Sequence, residues 1–158
     1  EMAAQRHEEV EVVFLPGNHD PDAAIALTVA LSLFFSNNPR IKIITDPGLF
    51  WYHHFGKVLM GATHGHNMKT EQMAMALASD RPKEWGESLF RHFYFGHIHH
   101  ETMKEVGSVK VESFCSPAGK DGWAHGSGYR SGRTMVAVTF HKDLGEIGRH
   151  RVNPVIPI

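Results

Sequence analysis

The sequence predicts an α/β fold. Runs rich in valine, isoleucine and aromatic residues alternate with segments of helix-forming composition, as expected when strands and helices pack in layers. Three of the predicted strands are followed at once by a cluster of glycine, histidine or asparagine. Clusters at strand ends lie where α/β sheets usually bind their ligands. The length of 158 residues predicts a single domain, residues 1–158, that is large enough to bury a core.

The first half of the chain is predicted to alternate between strands and helices. Residues 1–9 have helix-forming composition, and residues 10–15 are typical of a strand. Asp20 and Pro21 suit the cap and the first position of a helix that extends to residue 36. Its apolar run is too short to span a bilayer, so we expect a buried core helix. The next predicted elements are strands at 41–44, 49–55 and 57–62 and helices at 67–78 and 83–89.

The second half of the chain is predicted to be mostly β. A strand at 91–95 leads into the Gly-His cluster, and two strands at 102–106 and 108–114 flank Gly107 as a hairpin. Residues 116–132 contain five glycines and are predicted to form a long loop. A last hairpin is predicted from the strands 133–141 and 145–152.

Composition limits the classes of partner. The formal charge is −1, from 16 basic and 17 acidic side chains, with no long block of either sign. This balance argues against a strong non-specific footprint for nucleic acid, and no membrane partner is expected. The single Cys115 excludes an internal disulfide framework and favours a reducing compartment, so we expect a cytoplasmic protein.

The strand-end clusters contain the residue types of a metal site. They are Gly-Asn-His-Asp at 17–20, Thr-His-Gly-His at 63–66 and Gly-His-Ile-His at 96–99. If the strands share one sheet or two packed sheets, the clusters meet along one rim. In extended geometry, residues two apart point to the same side, so His97 and His99 are expected to converge. Amide oxygen, imidazole and carboxylate suit Mn, Fe or Zn, and the lack of a cysteine cluster argues against a thiolate zinc site.

These clusters, in this order, resemble the motifs of the calcineurin-like metallophosphoesterases. The resemblance covers about residues 10–115, and the ordered set is more specific than any one of its motifs. It implies that family's four-layer α/β/β/α sandwich with mixed β-sheets, to which this chain would contribute the C-terminal portion. It also implies hydrolysis of phosphate esters, with phosphodiesters or nucleic acid as the expected substrates. Two divalent metal ions would hold a bridging hydroxide that attacks phosphorus in line.

The resemblance implies a role for each matching residue. Asn18, His64 and His97 would bind the second metal, and His99 would bind the first. His19 would stabilise the developing charge and protonate the leaving oxygen. Asp20 would orient His19 and support its protonated form.

The family's remaining motifs, Asp-x-His and Gly-Asp-x-x-Asp, do not occur in the 158 residues. Without their carboxylates the chain is expected to hold at most one metal, weakly, and to be inactive alone while its full-length parent is an enzyme. A complementing N-terminal segment or a homo-oligomer is the expected partner, because losing the N-terminal strands would expose apolar sheet surface. The alternative is a non-catalytic metal-binding or interaction module.

Other polar residues keep two interpretations. His66 could reach the substrate or support the ligands, or it could make only a local hydrogen bond. Lys120, Arg130 and Arg133, in or beside the glycine-rich loop, could contact a substrate phosphate or belong to a solvated loop.

Overall fold

The computed structural model describes residues 2–118, 126 and 132–154. The chain divides into two compact units, an N-terminal unit of residues 1–51 and a C-terminal unit of residues 52–158. The expectation that they act as one domain stays a prediction. Lys120 and Arg130, and most of the predicted glycine-rich loop, lie outside the described residues.

Among its described residues, the N-terminal unit contains one α-helix, one short 3₁₀ helix and one pair of parallel strands. Strand β1 pairs with strand β2 in parallel, with Val10 opposite Ile41. The helix predicted at residues 1–9 was wrong, since only the 3₁₀ helix Ala3–Gln5 forms there. Among residues 2–9 only Ala4 is buried, and so short a helix has neither a capping side chain nor enough buried surface to extend. The elements of this unit are β1 (Val10–Val12), α1 (Pro21–Phe34) and β2 (Ile41–Ile43).

Helix α1 begins where the sequence predicted, but its burial differs from the expectation. Within the described chain none of its residues is buried, and Leu33 and Phe34 are each 71% exposed. The predicted buried core helix was therefore wrong. The helix carries apolar residues on all of its sides. A two-stranded sheet is too narrow to cover such a surface.

The C-terminal unit is built on a mixed five-stranded sheet. Its strand order is β3-β4-β5-β7-β6, in which β4, β5 and β7 are parallel and β6 is antiparallel to β7. This arrangement confirms the predicted α/β class with a mixed β-sheet. The elements of this unit are β3 (Phe50–Phe55, which begins at the end of the N-terminal unit), β4 (Val58–Thr63), α2 (Thr70–Asp80), α3 (Pro82–Glu87), β5 (Phe90–Phe95), β6 (Thr102–Val106), β7 (Val109–Ser113), β8 (Met135–His141) and β9 (Gly145–Val152).

Helix α2 covers one face of this sheet. Phe93 of β5 is fully buried, as are Met73 and Leu77 of the helix. The contact is close because β4 has a glycine at this point: a Cβ atom at Gly61 would lie 2.7 Å from the Phe93 ring and 3.1 Å from Leu77. Burial of these apolar side chains is the main stabilising term of the unit.

The hairpin formed by β8 and β9 covers the opposite face. Side chains alternate between the faces along β5, so His92 points away from Phe93. The His92 ring lies 4.8 Å, centroid to centroid, from the ring of Phe140 on β8. Both faces of the central strand are therefore covered near His92 and Phe93.

Among the described residues, no helix is long and apolar enough to cross a membrane.

Candidate metal centre

The carboxyl ends of three parallel strands meet at one edge of the five-stranded sheet. The register places Thr63 of β4 opposite Phe95 of β5, and Phe95 opposite Ser113 of β7. His64 follows β4 directly, and His97 follows β5 after one glycine. Parallel pairing thus brings two of the three predicted clusters together.

Three histidine rings lie close to one another at this edge. The centroid of the His64 ring is 5.2 Å from that of His97 and 5.4 Å from that of His66. The His66 and His97 centroids are 6.1 Å apart. All three residues are half-buried. The structure therefore joins the two predicted ligands His64 and His97 and adds His66 beside them.

The turn after β4 depends on Gly65. Its φ is +96°, in the left-handed region that residues with a Cβ rarely adopt. A Cβ atom there would also lie 2.9 Å from the ring of Phe95. The glycine lets the turn pack directly on the last residue of β5, with His64 and His66 on either side of it. The Gly96 amide donates a hydrogen bond of 3.1 Å to the His64 carbonyl and ties the two strand ends together.

The turn after β5 holds two histidines in left-handed conformations. His97 has φ 62° and His99 has φ 55°. The Ile98 amide donates to the Gly96 carbonyl at 2.7 Å, which closes a γ-turn centred on His97 of the rare, strained type. The expected extended geometry of this motif was wrong. Strained residues of this kind concentrate at functional sites, because the surrounding structure must hold them in place.

Buried Ser113 holds the rest of this turn. Its hydroxyl donates to the His100 carbonyl at 2.7 Å and accepts from the Thr102 amide at 2.9 Å. Ser113 is fully buried at the end of β7. The segment after His97 is thereby fixed to a third strand of the sheet.

The third cluster lies in the N-terminal unit. Asn18, His19 and Asp20 are exposed in the turn between β1 and α1. Asp20 occupies the N-cap position of α1, but its side chain makes no capping hydrogen bond; one carboxylate oxygen accepts from the Gly17 amide at 3.0 Å. The expected pairing of Asp20 with His19, and the ligand roles of Asn18 and His99, stay predictions.

Arg133 lies beside the glycine-rich loop, and its guanidinium donates to the Pro117 carbonyl at 2.8 Å through Nε. This bond ties the two ends of the loop, so Arg133 already has a local structural role. A contact between Arg133 and a phosphate stays a prediction.

A charged network supports the sheet on the hairpin side. Arg149 of β9 forms a two-pronged ion pair with the buried Glu112 of β7 and also binds Glu146. Hydrogen bonding to Arg149 lowers the pKa of Glu146, and the two carboxylates raise the pKa of Arg149. Burial, reinforced by nearby Lys110, lowers the pKa of His92 to about 4, so this imidazole is neutral at physiological pH.

Burial also raises the pKa of the Tyr94 phenol, which keeps it protonated. These groups stabilise the sheet from the side opposite α2.

The side chains at the sheet edge are of types that bind transition-metal ions, but their donor atoms are not arranged around one point. Within residues 2–118, 126 and 132–154, no three His, Cys, Asp or Glu side chains could hold a metal ion as they stand. Neutral imidazole is nonetheless the commonest ligand for such ions. Moreover, Nδ1 of His66 is shielded from water and has no hydrogen-bond partner among the described residues.

The sequence alone left the role of His66 open between a contact with substrate or ligands and a local hydrogen bond. The available signal was the His-Gly-His spacing at the end of a predicted strand, in which a glycine permits a turn. The left-handed φ of Gly65 and its contact with Phe95, which bring the second imidazole back towards His64, are features of the tertiary structure.

Searches against models of protein families and against curated proteins found no match for this chain. Among solved structures, the chain is similar to the Vps29 single mutant D62A from Entamoeba histolytica. The TM-score is 0.45 and the identity 11%, over 92% of this chain and 98% of the Vps29 chain.

Proposed function

We propose that this chain carries the histidine-bearing half of a metal-dependent phosphoesterase site. The observation that supports the proposal is the His64–His97 pair, half-buried at the carboxyl edge of a parallel β4-β5-β7 sheet. The two motifs that resemble metallophosphoesterase motifs are adjacent there. Asn18 and His99 are the further proposed ligands, and Mn, Fe or Zn are the proposed ions.

The protein residues supply binding and proton transfer. A divalent ion bound at such a site acts as a Lewis acid on a phosphoryl oxygen. His64 and His97 would bind that ion as neutral imidazoles, each held by a turn packed against the sheet. The strained γ-turn at His97 fixes the direction from which its ring approaches.

His19 is the proposed proton donor. In its protonated form it would give a proton to the oxygen that leaves phosphorus, and a nearby carboxylate favours that form. Asp20 is the proposed carboxylate, since it follows His19 directly in the turn before α1. Both residues are exposed and therefore accessible to a substrate.

A second function is favoured by a different observation. The motifs Asp-x-His and Gly-Asp-x-x-Asp do not occur in these 158 residues, so the carboxylates that would complete a two-metal centre must come from elsewhere. A metal-binding or interaction module without catalysis needs none of them. The two functions differ in whether the metal-loaded protein turns over a phosphate ester.

The test is an assay of the intact protein that contains these residues, supplied with Mn²⁺. Hydrolysis of bis(p-nitrophenyl) phosphate and of p-nitrophenyl phosphate would be measured for the wild type and for His97→Ala and His19→Ala. We expect His97→Ala to lower kcat/KM by at least about 100-fold through loss of a ligand. We expect His19→Ala to lower kcat by about 100-fold or more, the usual contribution of general acid catalysis.

His150→Ala is the matched control, because His150 is an exposed histidine of β9. Full activity of this variant, with loss in the other two, would support the enzyme. Metal binding without turnover of either ester would favour the binding module. Turnover that survives His97→Ala would contradict the proposed site.

A further inference from the structure

A cavity of about 300 Å³ lies at the amino-terminal end of the central strand β5. It is lined by residues of β5, β6 and β7 and of the hairpin formed by β8 and β9, all within the C-terminal unit. The histidine turns lie at the other end of β5, about 17 Å away along a six-residue strand. Sites for small molecules usually have volumes of about 300–1,000 Å³, so this cavity has room for a ligand of modest size.

Three side chains of different charge form a row across the sheet at this cavity. Lys110 of β7 is paired with His92 of β5 on one side and with Glu105 of β6 on the other. Directly opposite residues of neighbouring strands project from the same face of a sheet, so the three side chains stand next to one another. All three line the cavity. The cavity thus presents an imidazole, an ammonium group and a carboxylate in one row.

The two charges of this row are available to a ligand. Among the described residues, Lys110 and Glu105 form no ion pair, although they lie opposite each other. Both are exposed, whereas His92 is only 3% exposed. Burial, reinforced by the charge of Lys110, lowers the pKa of His92 to about 4. At neutral pH this imidazole is uncharged and can donate one hydrogen bond and accept another.

Two further charged residues line the cavity, but both are already engaged. Glu146 accepts from Nε of Arg149 at 2.9 Å. Arg91 donates to the carbonyls of Trp85 and Ser88 at 2.8 Å and 2.7 Å, and its guanidinium lies 4.3 Å from the centroid of the Trp85 ring. Its Nε has no partner among the described residues, but it is shielded from water and so lies out of a ligand's reach. The charges that a ligand can use are those of the row.

Apart from Ser108, the remaining residues that line the cavity are apolar. Leu89 precedes β5 and Leu144 precedes β9, and each is 65% exposed. Phe90 lies beneath the turn of the hairpin, since a Cβ atom at Gly145 would be 2.7 Å from its ring. This close packing fixes the apolar wall, and the exposed leucines leave apolar surface that a ligand can cover.

We propose that this cavity binds a zwitterionic α-amino acid with an apolar side chain. The carboxylate of the ligand would pair with Lys110 and its ammonium group with Glu105, while its side chain would cover the apolar wall. An α-amino acid carries both charges on one carbon atom, which suits two residues whose Cβ atoms are about 4.5–5.5 Å apart in an antiparallel pair. The cavity shares no residue with the proposed metal site, so this binding is independent of phosphoester hydrolysis.

The test is calorimetric titration of the intact protein that contains these residues with L-phenylalanine. We expect saturable binding of one phenylalanine per chain. Lys110→Gln and Glu105→Gln should each weaken binding by about 10-fold or more, because each removes a charge-assisted hydrogen bond. Both residues are exposed, so we expect both variants to fold, which circular dichroism verifies.

Three smaller probes separate the contributions of the ligand's groups. 3-Phenylpropionate lacks the ammonium group, phenethylamine lacks the carboxylate, and glycine lacks the apolar side chain. Each should bind at least about 10-fold more weakly than L-phenylalanine. Lys83→Gln and Glu87→Gln are the matched control variants, because both residues are exposed on α3 and neither lines the cavity. Both should bind L-phenylalanine like the wild type.

Three results would overturn the inference. The first is the absence of saturable binding of L-phenylalanine, and the second is an affinity that is unchanged in both Lys110→Gln and Glu105→Gln. The third is a smaller probe that binds as tightly as L-phenylalanine, which would mean that one of the three contacts is not made. All of these results leave the Mn²⁺ assay of the proposed function unaffected.

Discussion

The two units end strands in similar polar clusters but support them differently. In the N-terminal unit, residues 18–20 are exposed and follow β1, a strand with three residues and one partner strand. In the C-terminal unit, His64 and His97 are half-buried and follow strands with six residues each in a five-stranded sheet. A motif thus gives the residue types of a site, while the packing beneath it determines how firmly those residues are held.

The helices show the same difference. Helix α1 is much the more apolar of the two long helices, yet none of its residues is buried within the described chain. Helix α2 has Met73, Ala74 and Leu77 buried against the sheet. A helix is buried when a wide enough sheet face lies next to it, whatever its own composition.

The largest expected effect is a contrast between Phe93→Ala and Leu33→Ala. Phe93 is fully buried between β4 and α2, so we expect its truncation to lower the free energy of unfolding by about 3–5 kcal/mol. Leu33 of α1 is 71% exposed, and its truncation should change stability by less than about 0.5 kcal/mol. Urea unfolding followed by circular dichroism measures both. An equally large fall in the free energy of unfolding for Leu33→Ala would show that α1 is covered in solution and would contradict the expected difference between the two residues.

A smaller effect is expected from pH through the buried His92. Its pKa is about 4 in the folded protein, against about 6.5 in the unfolded chain. The unfolded chain therefore binds the extra proton first, and stability is lost as the pH falls from about 6.5 towards 4. The free energy of unfolding should fall by about 2–3 kcal/mol over this pH range.

Urea midpoints across this pH range provide the measurement. The variant His92→Phe should lose this part of the pH dependence, whereas His150→Phe, which changes an exposed histidine, should keep it. A wild type whose stability is flat between these values would mean that His92 is solvated.

The smallest of the three effects concerns the turns that hold the histidines. Gly65→Ala places a Cβ at a left-handed φ and 2.9 Å from Phe95, so we expect it to lower the free energy of unfolding by about 1–3 kcal/mol. Gly96→Ala is the matched change in the neighbouring turn, where the nearest atom, the His64 carbonyl oxygen, is 3.8 Å away. We expect Gly96→Ala to lower the free energy of unfolding by clearly less than Gly65→Ala does. Thermal unfolding of the two variants would show whether the turn after β4 depends more strongly on its glycine than the turn after β5; equal effects would contradict that.

Local patterns predicted most of the elements. Runs rich in valine, isoleucine and aromatic residues predicted the strands of the five-stranded sheet, and Gly107 predicted its hairpin, because strand propensity and turn chemistry are local properties. The observed boundary of an element differs from the predicted one where a side-chain hydrogen bond sets it. The helix expected from residue 67 begins at Thr70, since the Lys69 amide donates to the Gln72 side chain at 2.8 Å.

What the sequence determined by itself was the α/β class, the order of the elements and the residue types of the site. Periodicity and turn residues act over a few positions, and the clusters at 17–20, 63–66 and 96–99 are visible without coordinates. Tertiary structure decided the exposure of α1, the left-handed turn at His97 and the position of the His66 ring beside that of His64. The exposure of α1 depends on the narrow two-stranded sheet of its unit. The features of the histidine turns depend on which strand ends lie side by side, and residues 64 and 97 become neighbours only when β4 and β5 pair in parallel register.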